Sequence, residues 1–103
     1  MKIQQTETQL TGKWLSQDGR VVADETCERI NELVRSHLQQ LGHDTSGWDM
    51  LYRDPDDGRL WELTYPQGHL HGGGPPQLYC LTLDEAREKY AGVAVNTSPG
   101  TLP

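Results

Sequence analysis

Apolar residues along the chain change their spacing several times, and each spacing predicts a different element. After Asp24 they recur at steps of three and four, the spacing of one helical face: Cys27, Ile30, Leu33, Val34, Leu38 and Leu41. Asp24 suits the N-cap of this helix, and Gly42 suits a residue that ends it. The pattern predicts one long helix over about residues 25–41.

Strands are predicted on both sides of this helix. Residues 11–16 and 20–23 flank a turn, residues 48–53 and 59–65 show the alternation of a strand, and residues 77–81 suit a further strand. Asp18–Gly19 is a strong turn pair for a hairpin between the first two, and Asp54–Gly58 is a turn between the next two. Thr82 and Glu85 have the spacing of a capping box, which predicts a short helix ending near Tyr90.

The element order β-β-α-β-β-β-α predicts an α+β domain. We expect an antiparallel sheet of about five strands, with the long helix packed on one face and a short C-terminal helix. The domain is assigned to residues 10–90, with a flexible N-terminus over 1–9 and a flexible C-terminal tail over 91–103. Because the chain has no Phe, we expect Trp14, Trp48 and Trp61 to supply much of the core.

The charge of the chain narrows the classes of partner. The net charge is -6, and residues 24–57 carry all of it, with nine acidic and three basic residues. A nucleic-acid partner requires a basic surface, so direct nucleic-acid binding is excluded. No segment approaches the roughly 20 apolar residues that span a bilayer, and the N-terminus lacks a signal-peptide core. We expect a cytoplasmic protein that does not bind membranes and keeps Cys27 and Cys80 as thiols.

Two segments contain metal-ligand residue types without a metal-site spacing. In the turn that begins at Asp54, Gly58 and Tyr65 stand at the fifth and twelfth positions, which does not match an EF-hand. His69 and His71 flank Leu70, but zinc needs three or four ligands and no usual spacing supplies the others. We therefore expect no metal and no cofactor.

Glu62 and the glycine loop are the remaining candidates for a site. Glu62 lies between apolar residues in a strand, where a covered carboxylate suits a general base with His71 as its partner. No nucleophile accompanies it, since both cysteines are typical of small core residues. Gly72–Gly74 precede two prolines and lack the lysine of a phosphate loop, so the segment suits close approach of a partner instead.

Six segments of the chain fit one known family. They are Thr11–Trp14, Val22–Ile30, Gly47–Trp48, Leu51–Pro55, Gly58–Pro66 and His71–Pro76. Together they resemble the immunity protein 27 family of bacterial polymorphic toxin systems, over about residues 10–90. The resemblance implies a small protein that is not an enzyme. It would bind the C-terminal domain of a cognate toxin and protect the producing bacterial cell.

The acidic stretch suits a basic toxin domain, which it would attract over a distance. We predict partner contacts at these residues: Asp54, Asp56, Asp57, Glu62, His71, Gly72, Gly73 and Gly74. Two alternatives stay open at this point. One is a small enzyme that uses Glu62 and His71, and the other is a general protein-interaction module that uses exposed aromatic residues and the glycine loop.

Overall fold

The structure of the protein, a computed structural model, describes residues 2–66 and 74–93. In this part of the chain the strands are β1 Gln9–Thr11, β2 Trp14–Gln17, β3 Arg20–Ala23, β4 Gln39–His43, β5 Met50–Arg53, β6 Leu60–Thr64 and β7 Gln77–Leu81, and the helices are α1 Glu25–Ser36 and α2 Leu83–Lys89. Five strands form an antiparallel sheet in the order β1-β7-β6-β5-β4, and β2 and β3 form a separate hairpin. The predicted α+β class is confirmed.

Each face of the five-stranded sheet carries its own apolar cluster. Neighbouring residues of a strand point to opposite faces, so Tyr52 belongs to one cluster and Leu51 to the other. The cluster with α1 includes Ile3, Leu10, Ile30, Leu33, Leu38, Trp61, Leu63 and Leu78. The cluster with α2 includes Leu60, Ala86 and Tyr90. The short helix α2 therefore covers the face of the sheet that α1 leaves open. Neither described helix is long and apolar enough to cross a bilayer.

Local sequence signals correctly predict where both helices start and where the hairpin turns. Asp24 caps α1, and its Oδ1 accepts the N–H of Cys27 at 2.8 Å. Thr82 and Glu85 form the predicted capping box of α2. Asp18–Gly19 has φ angles of 51° and 76°. Two successive positive φ angles define the type I′ turn that suits a two-residue hairpin loop.

The prediction for the end of α1 is wrong. The helix ends at Ser36, and Gln39–His43 forms strand β4, which pairs with β5. Leu38 still packs in the cluster on the α1 face, but Leu41 packs in the cluster on the α2 face. Gly42 lies in β4 and does not cap a helix. Pairing with β5, which is distant in sequence, outweighs an apolar spacing that continues the helix locally.

The predicted strand over residues 11–16 is split into two parts. Thr11 ends β1, which pairs with β7, and β2 begins at Trp14. Gly12 lies at the break and donates its N–H to the carbonyl of Pro76 at 2.9 Å. A Cβ atom at Gly12 would lie 2.5 Å from Cys27 Sγ and 2.8 Å from the Pro76 oxygen. The chain therefore needs glycine here for close approach of two segments.

Part of the segment predicted as a flexible N-terminus contacts the domain. Ile3 is buried, and Glu7 accepts two hydrogen bonds of 2.6 Å from Arg29 of α1. Arg59 donates to the carbonyls of Gln4 and Glu7 at 3.0 and 2.7 Å. These contacts tie the segment to α1 and to the start of β6. The division into a domain and two flexible ends stays a prediction.

Candidate functional site

The turn between β5 and β6 holds three of the predicted contact residues, and two of them stabilise the turn itself. Asp54 is 1% exposed, and its Oδ1 accepts the N–H of Asp56 at 2.8 Å. The Asp57 carboxylate accepts the backbone N–H of Arg59 at 3.0 Å and its Nε–H at 2.7 Å. Asp56 has 46% of its side chain exposed. The turn therefore presents mainly the Asp56 carboxylate to a partner.

His37, at the C-terminal end of α1, faces this turn. Its Nε2 lies 3.1 Å from Asp54 Oδ1 and 3.6 Å from Asp56 Oδ2. The Lys2 ammonium lies 3.6 Å from the same oxygen of Asp56. Asp54 Oδ2 is buried, and no residue of the described structure hydrogen-bonds to it. We call His37, Asp54 and Asp56 the His–Asp cluster.

Glu62 lies beneath α2, in a compact group of charged and polar side chains. The residue is 8% exposed, and its Oε2 accepts the Tyr90 hydroxyl at 2.7 Å and pairs with Lys89 Nζ at 2.6 Å. The same ammonium lies 2.7 Å from Asp49 Oδ2. Lys89 therefore bridges the loop before β5 to the middle of β6.

The environment keeps protons on both donors of this group. Burial, followed by the hydrogen bond to Glu62, raises the pKa of Tyr90 far above its usual range. Burial lowers the pKa of Lys89, but its bonds to Asp49 and Glu62 outweigh burial, so the net pKa is raised. At neutral pH Lys89 is therefore an ammonium and Tyr90 a phenol, and both serve as donors in this group.

An open cleft of about 510 Å³ adjoins Glu62, and we call it the α2 cleft. Its lining residues are Glu62, Tyr79, Leu81, Glu85, Glu88 and Lys89. Three carboxylates face one ammonium, so the cleft is acidic. Tyr79 is 41% exposed, and an aromatic ring beside carboxylates suits contact with a cationic side chain.

Neither cysteine of the chain has the surroundings of a reactive nucleophile. Burial raises the pKa of Cys27, whose Sγ lies 3.4 Å from the Lys13 carbonyl, and burial also raises the pKa of Cys80. Since the thiolate is the reactive form, both thiols are poor nucleophiles. The partners that the structure gives Glu62 are a lysine and a tyrosine, and His71 lies outside the described residues.

Several large apolar side chains are exposed, which the sequence analysis did not predict. They are Trp14, Leu15, Val21, Trp48, Tyr65 and Tyr79. The expectation that the tryptophans fill the core is right for Trp61, which is fully buried, and wrong for Trp14 and Trp48, which are 37% and 75% exposed. Trp48 directly precedes Asp49, the partner of Lys89. Exposed aromatic side chains are common anchors of protein interfaces.

The predicted contact residues do not form one continuous site in the described structure. Asp54, Asp56 and Asp57 share a turn, whereas the Glu62 carboxylate contacts Lys89 of α2 and Tyr90, its C-cap. Gly74 is buried, with a φ of 76° that favours glycine. The other three members of the loop, His71, Gly72 and Gly73, lie outside the described residues.

Three residues that sequence reasoning missed take part in these groups: His37, Lys89 and Tyr90. Each reaches its partner across tertiary structure, so no local spacing marks it. One signal was available, because alternation in β6 places Glu62 on the face opposite Trp61 and Leu63. That face is the one that α2 covers.

Comparison with known proteins identifies the family. A sequence model of Immunity protein 27 matches residues 16–82, which is more than half of the chain. The chain belongs to the Immunity protein 27 family. The matched range runs from β2 to the N-cap of α2, so it includes the β5–β6 turn and Glu62 but not Lys89 or Tyr90. No curated protein and no solved structure matches the chain.

Proposed function

We propose that this chain binds and neutralises the C-terminal domain of a cognate polymorphic toxin in the cytoplasm, and so protects the bacterial cell that produces both. The observation that carries the proposal is membership of the Immunity protein 27 family. Such a protein acts by occupying its partner, so it requires a complementary surface and no reaction of its own.

The charge of the chain supports a basic toxin domain as the partner. The net charge is -6 at neutral pH. Complementary charge raises the rate of encounter between two proteins, and salt screens this effect over a Debye length of about 8 Å at physiological ionic strength. Fast capture matters for an inhibitor that must reach the toxin before the toxin reaches its target.

We place the main contact surface at the α2 cleft, with Glu62 at its base. Glu85 and Glu88 are exposed on the rim, and Tyr79 supplies an accessible ring. A lysine or arginine of the toxin would meet carboxylates and an aromatic face there, a combination that favours cations. Trp48 precedes the Lys89 partner Asp49 in sequence, and as an exposed tryptophan it suits a second anchor.

The other predicted contact residues differ in what they contribute to this proposal. Asp56 is accessible and can meet a partner directly, whereas Asp54 and Asp57 support the turn that presents it. Residues His71 to Gly74 remain proposed contacts. The two proposed surfaces can be separated experimentally, because charge can be reversed at one without touching the other.

The test uses the toxin domain encoded next to this gene. We would purify the complex and measure the association rate constant at several salt concentrations. Glu88→Lys should lower that constant severalfold at low salt, and the difference should shrink as salt rises. Glu28→Lys is the matched control, since it reverses an equally exposed charge on α1.

Two results distinguish an error in the proposed interface from an error in the proposed function. If Glu88→Lys and Glu28→Lys associate alike while wild type still binds the toxin, the α2 cleft is not the interface and the immunity role stands. If wild type does not bind the neighbouring toxin domain at all, the proposed function itself is wrong.

A further inference from the structure

We propose that the His–Asp cluster is a binding site for a divalent transition-metal ion such as zinc. The ligands are His37 Nε2 and one carboxylate oxygen each from Asp54 and Asp56. The site lies where the end of α1 meets the β5–β6 turn. It is distinct from the α2 cleft, and it shares Asp56 with the second surface that is proposed to contact the toxin.

Distances among the ligand atoms fit a tetrahedral ion. Zinc binds histidine nitrogen and carboxylate oxygen at about 2.0–2.2 Å, which places neighbouring tetrahedral ligands about 3.4 Å apart. His37 Nε2 lies 3.1 Å from Asp54 Oδ1 and 3.6 Å from Asp56 Oδ2. One ligand atom from each of the three residues can be chosen so that all three atoms lie within 4.8 Å of one another. Both distances from His37 Nε2 are therefore near the tetrahedral value, the two carboxylate oxygens lie within 4.8 Å of each other, and water suits the fourth corner.

The Asp54 carboxylate gives an independent reason to place a cation here. The residue is 1% exposed, its Oδ1 accepts the N–H of Asp56, and its Oδ2 is buried with no hydrogen-bond partner among the described residues. Buried carboxylate oxygens normally have a donor or a metal, because burying an unpaired charge is costly. A cation bound through Oδ1 offsets the negative charge that this carboxylate shares with its unpartnered oxygen Oδ2.

The cluster is open to solvent on the side of Asp56, whose side chain is 46% exposed, whereas that of His37 is 15% exposed. Lys2 is the cation nearest Asp56, at 3.6 Å, but 74% of its side chain is exposed, so it can move aside. Without a metal, a proton on His37 Nε2 is what permits its hydrogen bond to Asp54, and a metal ion takes the place of that proton. Lys2 then competes with the ion for Asp56.

Sequence analysis predicted no metal site, and the reason is the separation of the ligands. His37 stands 17 residues before Asp54. Only the Asp54 and Asp56 pair is local, and two aspartates in a turn are common without a metal. The third ligand comes from the end of a helix that the sequence pattern extended past His37.

Calorimetric titration of the chelator-treated full-length chain with zinc chloride tests the proposal. Cobalt(II) serves as a second probe, since its visible absorption reports tetrahedral coordination. We expect one ion per chain, a tetrahedral cobalt spectrum, and a Tm that rises with metal because only the folded state assembles the three ligands. His37→Gln and Asp56→Asn should each weaken binding at least about tenfold, and Lys2→Ala should strengthen it.

Two control variants separate this site from other metal ligands. Asp18→Asn removes an exposed aspartate charge from the β2–β3 turn and no proposed ligand, and His69→Gln with His71→Gln removes the other closely spaced histidines. Both should bind as wild type does, with circular dichroism to confirm folding. The proposal is overturned if wild type binds neither ion, if His37→Gln and Asp56→Asn keep full affinity, or if the His69 and His71 variant loses binding.

Discussion

Replacing Glu7 with Gln tests the ion pair that holds the N-terminal segment against α1. Arg29 donates to both carboxylate oxygens at 2.6 Å, and the Gln4 N–H donates to Oε1 at 2.9 Å. These bonds, with that of Arg29 the strongest, lower the pKa of Glu7 from 4.5 to about 2. One pKa unit corresponds to about 1.36 kcal/mol, so the shift corresponds to about 3 kcal/mol in the free energy of unfolding at neutral pH.

The sign of the pH dependence follows from the direction of this shift. A carboxyl whose pKa is lower in the folded state stabilises the fold fully above its unfolded value, here 4.5. The contribution is lost as the pH falls from there through about 2, where the folded state also takes up the proton. Glu7→Gln should therefore cost about 3 kcal/mol at neutral pH and converge with wild type at the acid end.

Urea unfolding followed by tryptophan fluorescence measures this difference across the acid range. Glu28→Gln is the control, because it removes an exposed carboxylate from α1, the helix that contains Arg29. It should change stability by less than about 0.5 kcal/mol at every pH. A Glu7→Gln cost that is equally large at neutral and acid pH would refute the ion-pair explanation. So would a cost at neutral pH no larger than that of the control.

Substitutions at Gly12, at Thr82 and at two tryptophans test the packing and the N-cap of α2. Gly12→Ala should cost about 1–3 kcal/mol by urea unfolding, because its Cβ would lie 2.5 Å from Cys27 Sγ; a neutral effect would contradict the close approach. Thr82→Ala should cost about 1 kcal/mol of stability while Thr82→Ser costs little, and equal losses would argue against the capping box. Trp61→Ala should cost about 3–5 kcal/mol and Trp48→Ala less than about 0.5 in thermal unfolding, and a reversed order would contradict their burial.

Local signals in the sequence predicted the parts of the fold that local interactions determine. Asp24 and Thr82 are caps whose partners stand three residues away, so the sequence places both members of each bond side by side. Asp18–Gly19 likewise takes positive φ angles for a reason that lies within the turn. Alternation likewise predicted β5 and β6, since period two is a property of each strand alone.

The errors arise where a distant segment decides the structure. Leu38 and Leu41 continue the helical spacing of α1, yet the chain leaves the helix because Gln39–His43 pairs with β5. A bond from Arg53 to the Gln39 side chain at 2.6 Å adds to that pairing. Trp48 looked like a core residue from its place in an alternating run, but β5 begins only at Met50.

The candidate site also combines features that local sequence predicts with features that distant segments determine. The sequence located the acidic turn, but it could not show that Asp54 is buried beside His37 or that Asp57 is engaged by Arg59. Glu62 was predicted as a candidate, whereas its partners Lys89 and Tyr90 depend on how α2 packs on the sheet. Residue type therefore identified carboxylates that could contact a partner. Tertiary packing determines which of these carboxylates are exposed to one.

Growth rescue is the measurement that tests the immunity role most directly. The C-terminal domain of the neighbouring toxin is expressed from an inducible promoter in cells that do or do not carry this chain. Our account predicts that the toxin domain alone stops growth, and that co-expression of the chain restores it and yields a stable complex on purification. Growth arrest that persists despite abundant folded chain, with no complex recovered, would contradict the account.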